Sequence, residues 1–373
     1  MSPQQSNQLG KQLAERIARS GPITLADYMA AALSDPGYGY YRRADPLGAA
    51  GDFTTAPEIS QLFGELIGAW LIDCWDQAGR PEQVNLVELG PGRGTLMADI
   101  LRVGRHVPDW LKAAQIHLVE INPRLRQAQA ATLSRYAPQW HESFATVPDG
   151  PVMLVANEFL DALPIRQLVF WNGAWRERLV DWNAEKGFHF ALSAETSPLS
   201  LLVPAEIQPS QGAVYELSPA VIAVATEVAS RVVTQGGAAL FVDYGRDESA
   251  TGESLQAVRA HRMTKVLDNP GEADLSAHVD FALLSRVGRD AGAAVAGPVG
   301  QGAFLDALGI GVRADRLKRG LSPSAAESID QAVARLTGTQ AMGQLFKVLA
   351  VVPPNLGPPG LRPAGFETSS GYA

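Results

Sequence analysis

Near the N-terminus, from about residue 5 to residue 35, apolar positions recur at helical spacing in two stretches separated by Ser20-Gly21-Pro22. A loop dense in Gly, Pro and Tyr follows, SDPGYGYYRRADPLGAAGDF. Thr55-Ala56-Pro57-Glu58 fits a capping box, in which Thr and Glu satisfy each other's free backbone N–H groups. It predicts the start of a helix that carries Ile59, Leu62, Phe63, Leu66, Ile67, Trp70, Leu71 and Cys74 at spacings of three and four. From Asn85 the period changes. NLVELG, QIHLVEI, the stretch Val152 to Ala156 and GGAALFVDYG are short runs that are apolar throughout, and helical patterns lie between them. Strands with no polar face, joined by helices, predict a parallel sheet covered on both sides, and hence an α/β fold. MGQLFKVLAVV reads as one more strand, the sheet's last.

One stretch breaks the alternation. In RQLVFWNGAWRERLVDW two β-prone arms flank Asn172-Gly173, the strongest short hairpin signal, which predicts an antiparallel insertion at about 165–212. The expected organisation is an N-terminal helical segment over 1–80, an α/β core over 81–353 and a Pro/Gly-rich disordered tail over 354–373.

Composition narrows the chemistry. The chain has 373 residues, 46% of them hydrophobic, so a large core is available. A net charge of −8 argues against a nucleic-acid partner, which needs a basic surface, and suits a cationic one. The single cysteine, Cys74, excludes an internal disulfide and reads as a buried apolar residue. The six histidines lack metal-ligand spacing, so no metal site is expected. No run is long enough to span a membrane, and the polar N-terminus has no signal core, so a cytoplasmic location is expected. The apolar helix from Ile59 would serve a homodimer as readily as a core.

The turn after the first core strand carries the chemistry. LVELGPGRG lacks the lysine of a phosphate-binding P-loop, and the third glycine of a dinucleotide fingerprint is displaced to Gly94. The pattern E-x-G-x-G-x-G, from Glu88 to Gly94, suits S-adenosylmethionine. That ligand has no phosphate, and glycine at Gly90 and Gly92, with Pro91 between, lets backbone pass close to it. Glu88 is placed to hold the cationic amino group. Glu120, ending the second strand just before Ile121, is placed to accept from the ribose hydroxyls.

The acceptor is expected after the fourth strand, at Asn157-Glu158-Phe159-Leu160-Asp161. The prolines typical of nucleobase methylation are absent. Two carboxylates, Glu158 and Asp161, suit a guanidinium, which carboxylates grip bidentately; a helix-capping role is the plainer alternative. Asp243-Tyr244 is either a site element or a strand terminator. Glu58 reads most simply as the capping partner of Thr55, and His261 as a surface helix histidine, with His278 equally open.

Taken together, GDFTTAPEISQLFGELIGAW, LVELGPGRGTLMADILR, ANEFLDALP, YELSP, the run from GESLQAVRAHR to LSAHVDFALL, QGAFLDALGI and MGQLFKVLA resemble the MidA family of protein arginine methyltransferases, over roughly residues 10 to 353. The resemblance implies a class I methyltransferase fold, a Rossmann-like, mostly parallel seven-stranded sheet with N-terminal helices and an inserted hairpin region. It implies a protein substrate bearing an arginine, on a respiratory complex I subunit for the mitochondrial members. By position, Gly90, Gly92 and Gly94 match the donor loop, Glu120 the acidic second-strand residue, and Asn157, Glu158 and Asp161 the NExxD stretch. It also raises the interest of Glu58 and His261 without assigning them roles. Leu160 stands where the family pattern leads one to expect an aromatic, a packing change. A small-metabolite methyltransferase and a donor-binding assembly chaperone without turnover are the alternatives.

Overall fold

The structure, a computed structural model, describes residues 7–43, 55–357 and 363–366. Part of the Gly/Tyr-rich loop and most of the expected disordered tail fall outside these residues. The chain divides into two compact units. One comprises Met1–Phe53, Asp161–Ile222 and Glu248–Asp280, and the other Thr54–Leu160, Ala223–Asp247 and Phe281–Ala373.

The second unit holds the expected α/β sheet. Its strands are β1 (Val84–Leu89), β2 (Ala114–Val119), β3 (Gln139–His141), β4 (Val152–Asn157), β5 (Gly237–Arg246), β6 (Ala294–Gly300) and β7 (Phe346–Val352). They lie side by side in the order β6-β7-β5-β4-β1-β2-β3. From β5 to β3 every pairing is parallel, whereas β7 runs antiparallel to both β5 and β6. Every residue of β1 and of β4 is buried, the polar Asn85, Glu88 and Asn157 along with the apolar majority that a strand covered on both faces requires. β7 is the last strand in the chain, as expected, and it lies inside the sheet, between β6 and β5. The edge belongs to β6, whose sequence AVAGPVG gives little strand signal because Gly297 and Pro298 interrupt it and its ladder with β7 shifts register there.

Helix α1 (Gln61–Gln77), expected within the N-terminal segment, packs in the sheet unit. Leu62, Phe63, Ile67, Trp70 and Leu71 are buried in one cluster with residues of β1, β4, β5 and β7. The capping box does not form. A short helix, Ala56–Ile59, ends at Ser60, whose extended backbone starts α1 afresh while its hydroxyl accepts from Leu62 N–H. Cys74 is fully buried, and burial pushes its thiol pKa well up. The tail is not featureless. Phe366 is completely buried beside Phe304, and the Trp70 indole N–H donates to the Ala364 carbonyl at 3.1 Å.

The other unit is built on an antiparallel sheet. Arg166–Trp171 and Ala174–Asn183 form the expected hairpin, with Asn172 at φ 51° and Gly173 at φ 78°, the left-handed pair that a two-residue turn requires. Gly187–Thr196, Val214–Leu217 and the two-residue strand Ile23–Thr24 complete it. Helices Gln8–Ser20 and Leu25–Ser34 pack their apolar faces into this unit's core with Ile165, Val180 and Leu275. A second, three-stranded sheet contains Gln256–Arg259 and Arg262–Thr264. His261 therefore sits in a hairpin turn and not on a helix. Arg259 pairs with Arg262, and the two residues between them, Ala260 and His261, take φ 49° and 58°.

Candidate active site

Parallel register brings four strand ends to one edge of the sheet. Glu88 of β1 lies opposite Leu118 of β2 and Val155 of β4, and Asn157 of β4 lies opposite Val242 of β5. The turn after β1, the residues after β2, the loop after β4 and Asp243 of β5 thus follow one another along that edge, where α/β folds place their ligands.

The glycine turn has the backbone its sequence promised. Gly90, Gly92 and Gly94 have φ of 63°, 53° and 82°, a region that side chains disfavour. The turn is closed by Gly94 N–H donating to Pro91 C=O at 2.7 Å, and Gly94 leads into helix α2 (Thr95–Gly104). A Cβ on Gly90 would come within 2.8 Å of Phe159, so this glycine also makes room for the loop after β4.

Glu88 is 3% exposed, and its Oε2 has no hydrogen-bond partner. Burial pushes its pKa up to about 8; a backbone hydrogen bond from Met97 works against the shift, while Asp99 and Glu120 add to it. Glu120 is also buried, and burial raises its pKa too, but it is surrounded by donors. Asn122 N–H reaches Oε1 at 2.7 Å and the Gln129 amide reaches Oε2 at 3.3 Å. Its backbone is fixed as well, since Arg126 donates to its carbonyl at 2.7 Å.

After β4, Glu158 N–H continues the ladder to Val242 C=O, but Glu158 itself takes φ 50°, strained for a residue with a side chain. Its Oε1 accepts from Ala56 N–H at 2.9 Å and from the Asn157 amide at 3.2 Å. Asn157 is buried with an unpartnered Oδ1. Asp243, left open between two roles, is 1% exposed and shapes this loop. Its Oδ2 accepts from Phe159 and Leu160 N–H at 3.1 and 2.9 Å, and its Oδ1 from Tyr244 N–H. Leu160 is buried, in keeping with a packing change. Glu58, freed from capping, accepts from the Thr95 hydroxyl at 2.6 Å at the start of α2.

The structure thus brings Glu88, Gly90, Pro91, Gly92, Gly94, Glu120, Ile121, Asn157, Glu158 and Glu58 into the sheet unit. Asp161 and His261 belong to the other unit. There Asp161 C=O accepts from Ala277 N–H, and Tyr41 Oη donates to Asp274 at 2.9 Å. The Tyr41 pKa is raised well above normal, chiefly by burial and then by Asp274 and Asp161. His261 is exposed at its hairpin tip. His278 N–H donates to Ser254 Oγ. Among the described residues there is no cluster of three or more metal-ligating side chains.

These residues fit S-adenosylmethionine on the structure's own terms. An orphaned buried carboxylate oxygen on Glu88 matches the donor's ammonium, a second strand-end carboxylate matches a diol, and a turn with glycine at every second position lies between them.

Known proteins agree. Residues 66–299 match the family described as "Putative S-adenosyl-L-methionine-dependent methyltransferase". The protein named protein arginine methyltransferase NDUFAF7, mitochondrial, of Danio rerio is 37% identical, across 92% of this chain and 86% of the relative. Its Homo sapiens namesake is 35% identical, across 92% and 83%. A crystal structure of a superfamily member from Burkholderia thailandensis, bound to S-adenosyl-homocysteine, superposes with a TM-score of 0.81 at 28% identity. It covers 94% of this chain and 92% of its own.

Proposed function

The chain belongs to this family of S-adenosyl-L-methionine-dependent methyltransferases, and from that premise we propose that its acceptor is an arginine guanidinium on a protein. The observation that carries the acceptor is the loop after β4. Glu158 is held on strained backbone at the sheet's ligand-binding edge, beside an Asn157 whose amide oxygen is buried and unpaired. An acidic residue with a neighbouring carbonyl acceptor suits a planar cation with several N–H donors. The relatives' names, protein arginine methyltransferase, support the same acceptor.

In this reading Glu88 carries the donor's ammonium, Glu120 its ribose, and Gly90 to Gly94 the backbone between them. The sheet order supports reading the fold as that of a class I methyltransferase. Bound S-adenosylmethionine supplies a methyl carbon already activated by its positive sulfur. Glu158 orients the guanidinium so that one nitrogen lies in line with that carbon, and it holds positive charge on the other nitrogens. Transfer to that nitrogen would leave S-adenosyl-homocysteine, and the proton that the nitrogen sheds would pass by way of the Glu158 carboxylate to solvent. Glu58, fixed by Thr95, adds a second carboxylate in the same unit. Asp161 keeps the place expected of it from the sequence, as a further carboxylate for the guanidinium, and His261 is given no role. The substrate we propose is a respiratory complex I subunit, methylated in a bacterial cytoplasm.

The test is comparative proteomics of methylarginine in cells with and without the gene, followed by methylation of the identified peptide in vitro. Wild type should transfer radiolabelled methyl to it, and Glu158→Gln should lose at least a hundredfold in kcat. An unchanged methylarginine profile, with labelling only of small molecules, would overturn the reading.

A further inference from the structure

We propose that Gln129 is a positioning residue of the donor site, which locks the Glu120 carboxylate to the Gly92 carbonyl so that the ribose meets an acceptor already set in place. The inference rests on the reading of Glu120 as the ribose acceptor.

Gln129 lies in helix α3 (Pro123–Thr132), PRLRQAQAAT, a stretch that is mostly polar, yet Gln129 is completely buried. Its amide is used at both ends. Nε2 donates to Gly92 C=O at 2.7 Å and to Glu120 Oε2 at 3.3 Å, while Oε1 accepts from the Trp140 indole N–H at 2.8 Å. An amide has two N–H donors, so both are committed, one to the turn after β1 and one to the residue ending β2. Trp140 fixes which way round the amide lies, because an indole N–H can only donate. The flipped amide would face it with an NH2 group.

The glycine turn packs directly against this side chain. A Cβ on Gly94 would lie 3.5 Å from both Cα and Cγ of Gln129, an ordinary contact, so it is the φ of 82° that calls for glycine there, with the helix already alongside. The Gln129 and Asn122 donors bind the ionised form of Glu120 and oppose the upward pull of burial on its pKa. Loss of Gln129 should therefore both loosen the carboxylate and make it easier to protonate.

A merely structural glutamine would alter stability and leave ligand selectivity alone, so selectivity is the quantity to measure. Calorimetry would compare S-adenosyl-homocysteine with its 2′-deoxy analogue, from pH 5.5 to 9, for the full chain and for Gln129→Glu. That variant keeps the side chain's length, removes both donors and sets a second carboxylate against Glu120. The expected result is roughly tenfold weaker binding of the ribose form, in the range of one hydrogen bond to a charged group. The preference over the deoxy analogue should fall towards unity, and the acid limb of binding should move to higher pH. Trp140→Phe, which removes only the group that orients the amide, should lower the same preference a few-fold. It decides the matter if Gln129→Glu does not fold. Unchanged preference and an unmoved acid limb in whichever of these variants folds would overturn the inference. Glu120→Ala separates the two readings: if it too leaves the preference intact, the ribose assignment has failed. If it abolishes the preference while the other variants retain it, only the role of Gln129 has failed.

Discussion

Glu88 and Glu120 end neighbouring parallel strands of one sheet, and both are buried carboxylates whose pKa burial raises. Their surroundings diverge. Glu120 has been given backbone and side-chain donors, so its charge is provided for before any ligand arrives. Glu88 keeps one oxygen with no partner and titrates near pH 8, so its charge waits for a cation. On the proposed reading, one site therefore offers a ready acceptor for neutral hydroxyls beside an unfinished ion pair for an ammonium. The difference is set by the N–H groups that the segment after each strand supplies, Asn122 and the Gln129 amide for Glu120 against the Met97 backbone for Glu88.

The largest effect should come from finishing that ion pair without charge. Glu88→Gln should abolish measurable donor binding, since a buried cation left unpaired costs several kcal/mol. Calorimetry with S-adenosyl-homocysteine, which carries the same ammonium, reads it directly, and retained affinity would show that Glu88 is not the counter-ion. Next comes Glu120→Ala, expected to weaken the donor by about 1.5–3 kcal/mol, the range for a charged hydrogen bond. A loss as complete as that of Glu88→Gln would mean that the two carboxylates are not doing different jobs.

The contrast should also show in stability. A carboxyl whose folded pKa is about 8 and whose unfolded value is near 4.5 stabilises the fold fully below pH 4.5. That contribution is lost as pH rises towards 8. His117, buried and depressed to about 4, acts in the opposite sense, its stabilisation appearing as pH rises from 4 to about 6.5. From pH 6.5 to 8 Glu88 acts unopposed by His117. Over that window the unfolding free energy of the ligand-free protein should fall by on the order of 1 kcal/mol per pH unit at most, and its Tm should fall with it. Glu88→Gln should flatten the slope; an equally steep one in the variant would place its origin elsewhere. The smallest expected change is Thr95→Val, which removes the hydroxyl that fixes Glu58. If Glu58 serves the acceptor side, steady-state kinetics should show a few-fold rise in KM for the protein substrate with donor affinity unchanged.

Much of this was legible in the chain, and the parts that were not share a cause. The strand beginning at Val152 is buried on both faces, so its run from Val152 to Ala156 is apolar without interruption and announces itself. The glycine turn and the strand-end acids are local features of backbone conformation and position, and they lie where the pattern put them. Gln129 was invisible because a polar helical run reads as a solvent face, and only the proximity of Gly92 and Trp140 turns it inward. The capping box misled because Thr95, distant in sequence, engages the carboxylate of Glu58. Similarly, Ala260 and His261 followed a helical-looking run, but their backbone is decided by the ladder of the flanking strands. Local signals held where the competing partner was also local.

The burial of Phe366 has a practical side. Composition would invite a deletion at Pro353, on the view that everything beyond it is dispensable. That cut would remove an aromatic ring lying against Phe304, together with the carbonyl that receives the Trp70 indole N–H. It would also remove Gly365, where a Cβ would come within 2.5 Å of Phe304, so no other residue fits that bend as it stands. A shortened chain would carry a hole in the main core and an indole without its acceptor, and it would tend to aggregate during expression. A crystallisation fragment or a fused reporter should therefore keep the chain at least through Phe366.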